Sequence, residues 1–162
     1  MMEKIARRMH GEEEGFTLIE LMVVVLIIGI LIAIALPTFF GARTRGQDKQ
    51  AESSLRIAHA AARVCYTDDD VYTGCDAVGI PSKMTQVEPS LQYVTPALPS
   101  TGPKVISVNV VSPTVWIGAA YSDSKTCFAV RDTINGKGLE YATVSGACTG
   151  TNAQSATFGS SW

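Results

Sequence analysis

Gly15-Phe16-Thr17-Leu18-Ile19-Glu20, continued by Leu21-Met22-Val23-Val24-Val25-Leu26-Ile27-Ile28-Gly29-Ile30-Leu31-Ile32-Ala33-Ile34-Ala35-Leu36-Pro37, is the stretch on which the reading of this chain turns. From Phe16 to Phe40 the chain runs 25 residues with one charge, Glu20. A bilayer core takes roughly 20 apolar residues as helix, so the run is long enough to span one. A carboxylate deep in hydrocarbon costs roughly 2.5–3.5 kcal/mol on insertion scales, and such a group marks a partner. Upstream, Lys4, Arg7 and Arg8 favour the cytoplasmic side, which puts everything after the apolar run outside; Glu12, Glu13 and Glu14 weaken that bias little. A secretory signal is a competing reading, with Ala33-Ile34-Ala35 as its cleavage pattern, but the run exceeds the usual apolar core and contains Glu20. A plain single-pass anchor is the other, and it has no use for Glu20.

The segment resembles the class III signal of type IV pilins and their pseudopilin relatives. The resemblance implies that residues 1–15 are a leader, cut between Gly15 and Phe16 by a membrane aspartic peptidase. It implies that the same enzyme methylates the new amine on Phe16, and that Glu20 pairs with the amine of a neighbouring subunit during assembly. The chemistry agrees, because a buried carboxylate is tolerable only when paired and the Phe16 amine is a cation suited to it. The implied fold is α+β, a long N-terminal helix packed on a four-stranded antiparallel meander. In that scheme residues 16–40 are the transmembrane and polymerisation helix, 41–66 its amphipathic half, 67–103 a variable loop region, and 104–162 the sheet with a C-terminal disulfide region. The implied partners are other copies of the chain in a homopolymeric filament, minor pilins, the prepilin peptidase/N-methyltransferase, and an inner-membrane assembly platform with its ATPase. The implied location is the cytoplasmic membrane before assembly and an extracellular pilus after it.

The rest of the chain supports one folded domain. Its 162 residues leave enough length beyond the apolar run for a modest core. Net charge is −2 and charged residues make up 17%, so bulk charge gives no case for nucleic-acid binding, which stays open as a partner. Cys65, Cys75, Cys127 and Cys148 all follow the apolar run, and an even number on the exported side points to two disulfides. Of the three possible pairings, Cys65–Cys75 and Cys127–Cys148 close the shortest loops and are favoured. The cysteine spacings do not match a zinc site, and no metal or other cofactor is expected.

Between Phe16 and about Tyr66 the pattern is helical, with Pro37 expected to kink it and Gly29, Gly41 and Gly46 to loosen it. Ala51, Leu55, Ala58, Ala62 and Cys65 mark one face, widened by Ala61. Glu52, Arg56, His59 and Arg63 fall off that stripe, so His59 is expected at an exposed or edge position. Thr67-Asp68-Asp69-Asp70 is expected to end the helix as a solvated acidic turn; calcium is a weaker reading, since the spacing of an EF-hand is absent. Gly74, Gly79, Pro81, Pro89, Pro96, Pro99 and Pro103 then punctuate a loop-rich stretch. From Lys104, Ile106, Val108 and Val110 alternate with Ser107 and Asn109, and further strands are expected over 114–121, 125–132 and 139–145, with Asn135-Gly136 turning the last hairpin. The tail after Thr149 is polar apart from Phe158 and Trp162 and is left as a strand, a subunit contact or a free end.

No phosphate loop, nucleophile elbow or zinc-helix motif is present in the sequence, so no catalytic residue is assigned and the protein is not expected to be an enzyme. The function expected is a structural pilus subunit serving adhesion, motility or DNA uptake. The alternatives are a pseudopilin of a secretion or competence system, and an anchored binding protein that never polymerises.

Overall fold

The fold was obtained as a computed structural model that describes residues 15–79 and 82–162. The N-terminal charges Lys4, Arg7 and Arg8, with His10, and residue Pro81 lie outside the described residues. The chain divides into two units, Met1–Gly41 and Ala42–Trp162. Helix α1 (Leu18–Asp69) begins in the first and supplies the packed helix of the second.

In the first unit the helix follows from an unbroken apolar run entered through Thr17. Assignment as helix continues through Pro37, and the Thr38 hydroxyl donates to the Ala35 carbonyl at 2.9 Å. A proline within a helix removes a backbone donor, and a hydroxyl nearby is one way to occupy a carbonyl in that turn.

In the second unit α1 buries Ala51, Leu55, Ala58, Ala61, Ala62 and Cys65, the stripe that the sequence spacing marks. Glu52 and Ser54 are buried as well, so the covered face is wider than one seam. The helix stops where Asp70 takes a left-handed conformation, φ 57°. Aspartate tolerates that region better than most residues, and a left-handed residue is a common helix terminus.

A short helix α2 (Lys83–Val87) is capped by Ser82, whose hydroxyl accepts from the Thr85 amide. Strands β1 (Gln92–Val94), β2 (Val105–Ser112), β3 (Val115–Tyr121), β4 (Cys127–Thr133) and β5 (Gly138–Val144) form one sheet in sequential order. The meander β2 to β5 is antiparallel, but the sheet has five strands, not four. The addition is β1, parallel to β2 with Tyr93 opposite Ile106. It lies in the stretch expected to be loop. At three residues between Pro89 and Pro96 it is too short to show alternation, and its pairing is visible only in the tertiary structure.

Strand register sorts the side chains into two faces. Val108, Gly118, Val130 and Tyr141 are aligned across four strands, as are Ile106, Ala120 and Phe128, and this face joins the α1 stripe in one core with Trp116. The opposite face carries Ser107, Ala119, Ala129 and Ala142 in one row. Those small residues leave room for a second layer built from the tail. Helix α3 (Gly150–Ala153) lies there, and Ile117, Ala119, Cys127, Ala129, Cys148 and Ala153 form a separate core. Ser107 is fully buried: it donates to the Leu98 carbonyl at 2.8 Å and accepts from the Gly150 amide at 2.8 Å. The tail is therefore packed. Gly159 pairs with Tyr141, and Trp162 closes on Phe128 and Tyr141.

Cys65 is bonded to Cys75 and Cys127 to Cys148. The first bond holds the chain after α1 against that helix, and the second holds the start of the tail on β4.

Gly150 marks a close approach of the tail to the sheet. A Cβ there would stand 2.9 Å from the Asn109 Cβ and 3.1 Å from the Asn109 backbone nitrogen. Backbone cannot yield as a side chain can. Gly150→Ala is expected to destabilise the full-length chain in detergent by roughly 1–3 kcal/mol, read as a lowered Tm. Gly102→Ala, with nothing within 4 Å, is the control and is expected to stay within about 0.5 kcal/mol of the parent.

Candidate functional site

The start of α1 is a reciprocal cap. The Glu20 amide donates to the Thr17 hydroxyl at 3.3 Å; the Thr17 amide and hydroxyl donate to Glu20 Oε2 at 2.9 and 2.7 Å. Thr-x-x-Glu at a helix start is a capping box, satisfying donors that the first turn leaves without partners. The pattern is readable in Thr17-Leu18-Ile19-Glu20, but the sequence reading assigned Glu20 only an intermolecular role. The cap fixes where the helix begins, so Gly15 and Phe16 stand ahead of it in non-helical backbone, with Phe16 86% exposed. Both Thr17 donors engage the same carboxylate oxygen of Glu20, Oε2.

Beyond the cap, Leu18 to Phe40 present no buried side chain. An 18-residue window in α1 reaches a mean hydropathy of 3.1 with none of it buried, so by length and composition this helix can cross a membrane. Isolated apolar residues on a surface need no explanation, but an exposed surface this continuous marks an interaction with lipid or protein.

The second unit holds a polar cluster that the sequence reading missed. Asp132 falls on the same strand alternation as Phe128 and Val130 and so points at α1. It is fully buried, yet both oxygens are engaged. Oδ2 accepts from His59 Nε2 at 2.9 Å, from Arg63 Nε at 2.5 Å and from the Tyr72 hydroxyl at 2.5 Å, while Oδ1 accepts from Arg63 Nη2 at 3.1 Å. His59 thus holds the edge position expected of it, but with a buried partner that the spacing did not reveal. Its side chain is 18% exposed and bridges helix to sheet, one turn from Arg63 on the same side of α1. Burial alone would raise the Asp132 pKa; the hydrogen bonds from His59 and Tyr72, with the charges of His59 and Arg63, outweigh it and hold the carboxyl below its ordinary value. The same burial, with the bond to Asp132, pushes the Tyr72 hydroxyl far above the tyrosine range. Tyr72 is placed by the Cys65–Cys75 bond and by Tyr66, whose ring lies 5.0 Å from its own. Trp116 is fully buried, and its indole donates to the Cys75 carbonyl at 3.1 Å.

At the end of α1 and just beyond it, several of the acidic residues have identifiable roles. Asp70 supplies the left-handed terminus, Asp69 pairs with Lys83, and Asp76 accepts from the Val78 amide at 2.9 Å. Among the described residues no group of three or more acidic, histidine or cysteine side chains is arranged to hold a metal ion.

Known proteins share the N-terminal features. Residues 13–36 match the prokaryotic N-terminal methylation motif. The type IV major pilin protein PilA of Myxococcus xanthus is 41% identical over 66 residues, which cover 41% of this chain and 30% of that protein. The type IV major fimbrial protein FimA of Dichelobacter nodosus is 43% identical over 60 residues, 37% of this chain and 38% of that one. The chain thus spans about a third of the length of these relatives. The type IV major alpha-pilin of Moraxella bovis aligns over 131 residues, 76% of this chain and 82% of its own length, at 28% identity. No solved structure matches.

The chain thus combines an exposed apolar helix, headed by a methylation motif, with an α+β unit. By motif and by relatives, the N-terminal part of the chain is similar to type IV pilins, and a weaker likeness to one of them runs over most of its length.

The Asp132 cluster predicts both a mutational and a pH effect. Asp132→Ala leaves Arg63 and His59 facing an apolar sheet and is expected to cost roughly 3–5 kcal/mol in denaturant titrations of the detergent-solubilised chain. Because the folded-state carboxyl lies below its ordinary 3.8, its contribution is fully present above that value and is lost as pH falls through the lower native one. Asp132→Asn is expected to flatten that acid limb of the stability profile. An unchanged limb in the variant would assign the acid sensitivity to other carboxylates.

Proposed function

We propose that this chain is a structural pilin subunit, processed at its N-terminus and polymerised through residues 16–40 into a type IV pilus. The observation that carries the reading is the exposed apolar helix headed by the methylation motif, with Glu20 its sole charge. A membrane aspartic peptidase cleaves between Gly15 and Phe16, a bond that lies ahead of the capped helix, and methylates the Phe16 amine. Pro37 bends the helix on its way out of the bilayer, and the folded unit stands on the outer side of the cytoplasmic membrane until the subunit is extracted. The assembly platform, its ATPase and minor pilins act on the subunit from outside; the chain itself is structural and carries out no chemistry.

Physics assigns Glu20 its part. Helices in lipid gain little hydrophobic energy from meeting one another, since lipid tails are as apolar as the side chains. A carboxylate in that environment gains a great deal from a cation. The amine of a neighbouring Phe16 therefore supplies direction and register, while the apolar residues supply close packing. Once assembled, the filament displays the second unit for adhesion, motility or DNA uptake.

Two measurements test this. Mass spectrometry of filaments sheared from the native host is expected to find a chain starting at N-methyl-Phe16 and lighter by four hydrogens for two disulfides. A chain starting at Met1, or cut after Ala35, overturns the reading. Glu20→Ala is expected to reduce sheared filament at least about tenfold while the cellular level of the chain is unchanged, because removing one member of a desolvated charge pair costs at least about 2 kcal/mol at each contact. Filaments at parental level would refute the pairing.

A further inference from the structure

The groove between α1 and the end of the tail carries chemistry that assembly does not use. It encloses about 230 Å³ and is lined by Lys49, Glu52, Arg56, Tyr141, Ser160 and Trp162. The Trp162 ring is held by an edge contact to Tyr141 at 4.5 Å, another to Phe128 at 5.9 Å, and a hydrogen bond from its Nε1 to the Ala129 carbonyl at 3.2 Å. Arg56 lies over this fixed ring with its guanidinium carbon 5.2 Å from the centroid. A guanidinium stacked on an indole keeps its in-plane N–H donors free for a second partner. Arg56 makes no ion pair among the described residues.

The acidic lining residue does not oppose an anion. Glu52 is 4% exposed, and Lys49 Nζ neutralises it at 2.6 Å. The lining side chains thus carry one positive charge between them, Lys49 and Arg56 against Glu52, and include a planar guanidinium, an ammonium and a serine hydroxyl. That set matches the oxygens of a phosphodiester. Exposed Arg43 and Arg45 precede it on α1, directly after the apolar segment. Tryptophan and tyrosine beside basic residues are the side chains enriched where protein meets lipid headgroups. A chain tethered to the bilayer also meets headgroups at high effective concentration, so a modest site suffices.

We propose that this groove binds the phosphodiester headgroup of an anionic phospholipid in the unassembled subunit. The inference rests on the reading of Phe16–Phe40 as a membrane segment.

The test uses the full chain, delipidated in detergent and titrated with phosphatidylglycerol or phosphatidylcholine while bound lipid is counted by native mass spectrometry. Phosphatidylglycerol is expected to bind about tenfold more tightly. Arg56→Gln is expected to lower that affinity about fivefold and leave phosphatidylcholine binding unchanged. Arg56→Lys, which keeps the charge and a stem against Trp162, guards against misfolding: it retains the parental Tm yet loses part of the preference. Equal binding of the two lipids, or an Arg56→Gln chain that keeps the preference, overturns the proposal. Displacement of phosphatidylglycerol by millimolar inorganic phosphate would make the groove a free-anion site and overturn the lipid assignment. Flotation with pure phosphatidylcholine vesicles separates the two levels. A chain that fails to float refutes the membrane segment, whereas one that floats without headgroup preference refutes the groove alone.

Discussion

A carboxylate removed from water is the constraint around which the second unit is built. Asp132 sits on the helix-facing side of β4 with no exposure, and the idealised cost of placing such an ion in a protein interior is recovered only by close charges and full hydrogen bonding. Its three donor residues come from two separate parts of the chain. His59 and Arg63 are on α1, and Tyr72 lies in the segment that the Cys65–Cys75 bond folds back. An apolar seam of alanines would let the helix slide or rotate over the sheet with small losses. A buried charge with directional partners does not, because a shift of one residue leaves an ion unpaired. We read the cluster as the element that sets α1 in register against β4, with the Ala51–Ala62 stripe supplying area and Asp132 supplying position.

The opposite face of the sheet is organised by size. Ser107, Ala119, Ala129 and Ala142 form a shallow row in which backbone can approach backbone, and Gly150 comes within ordinary contact limits only because it lacks a side chain. The Cys127–Cys148 bond delivers the tail to that row. Burying Ser107 there is acceptable because the tail itself satisfies the hydroxyl, through the Gly150 amide. The sheet thus has two cores, a large one under the helix and a smaller one under the tail.

Much of this is legible in the chain, for identifiable reasons. The apolar run and Glu20 announce the first unit, because few other folds would combine them. The period-2 strands from Val105 onward follow from alternation strong enough to survive one reading, and the short cysteine loops point to the pairing that forms. What escaped depends on distant partners. β1 has no pattern of its own and is defined by pairing with β2. Trp162 looks like an isolated apolar residue in a polar tail until Phe128 and Tyr141 are brought beneath it. Two signals were present and could have been used. Asp132 keeps the inward phase of Phe128 and Val130, and an acidic residue in that phase demands basic partners such as the i, i+4 pair His59 and Arg63. The small residues on the outward phase of β3, β4 and β5 likewise demand a covering layer, which the glycine- and alanine-containing tail supplies.

The two units answer the same physical question in opposite ways. In Ala42–Trp162 every large apolar cluster is covered from within, and the ionised Asp132 finds its counter-charges inside the same unit. In Met1–Gly41 the described apolar side chains find no cover, and among the described residues Glu20 meets the neutral donors of Thr17. A hydroxyl and an amide stabilise a carboxylate less than a cation does, so the capping box is an arrangement that a stronger partner can share without breaking the helix start. Such a segment is stable in lipid and more stable still against a copy of itself that brings an amine. On the function proposed above, this imbalance between a self-sufficient unit and one that is not would let a single chain rest in a membrane and then be carried, already folded, into a filament.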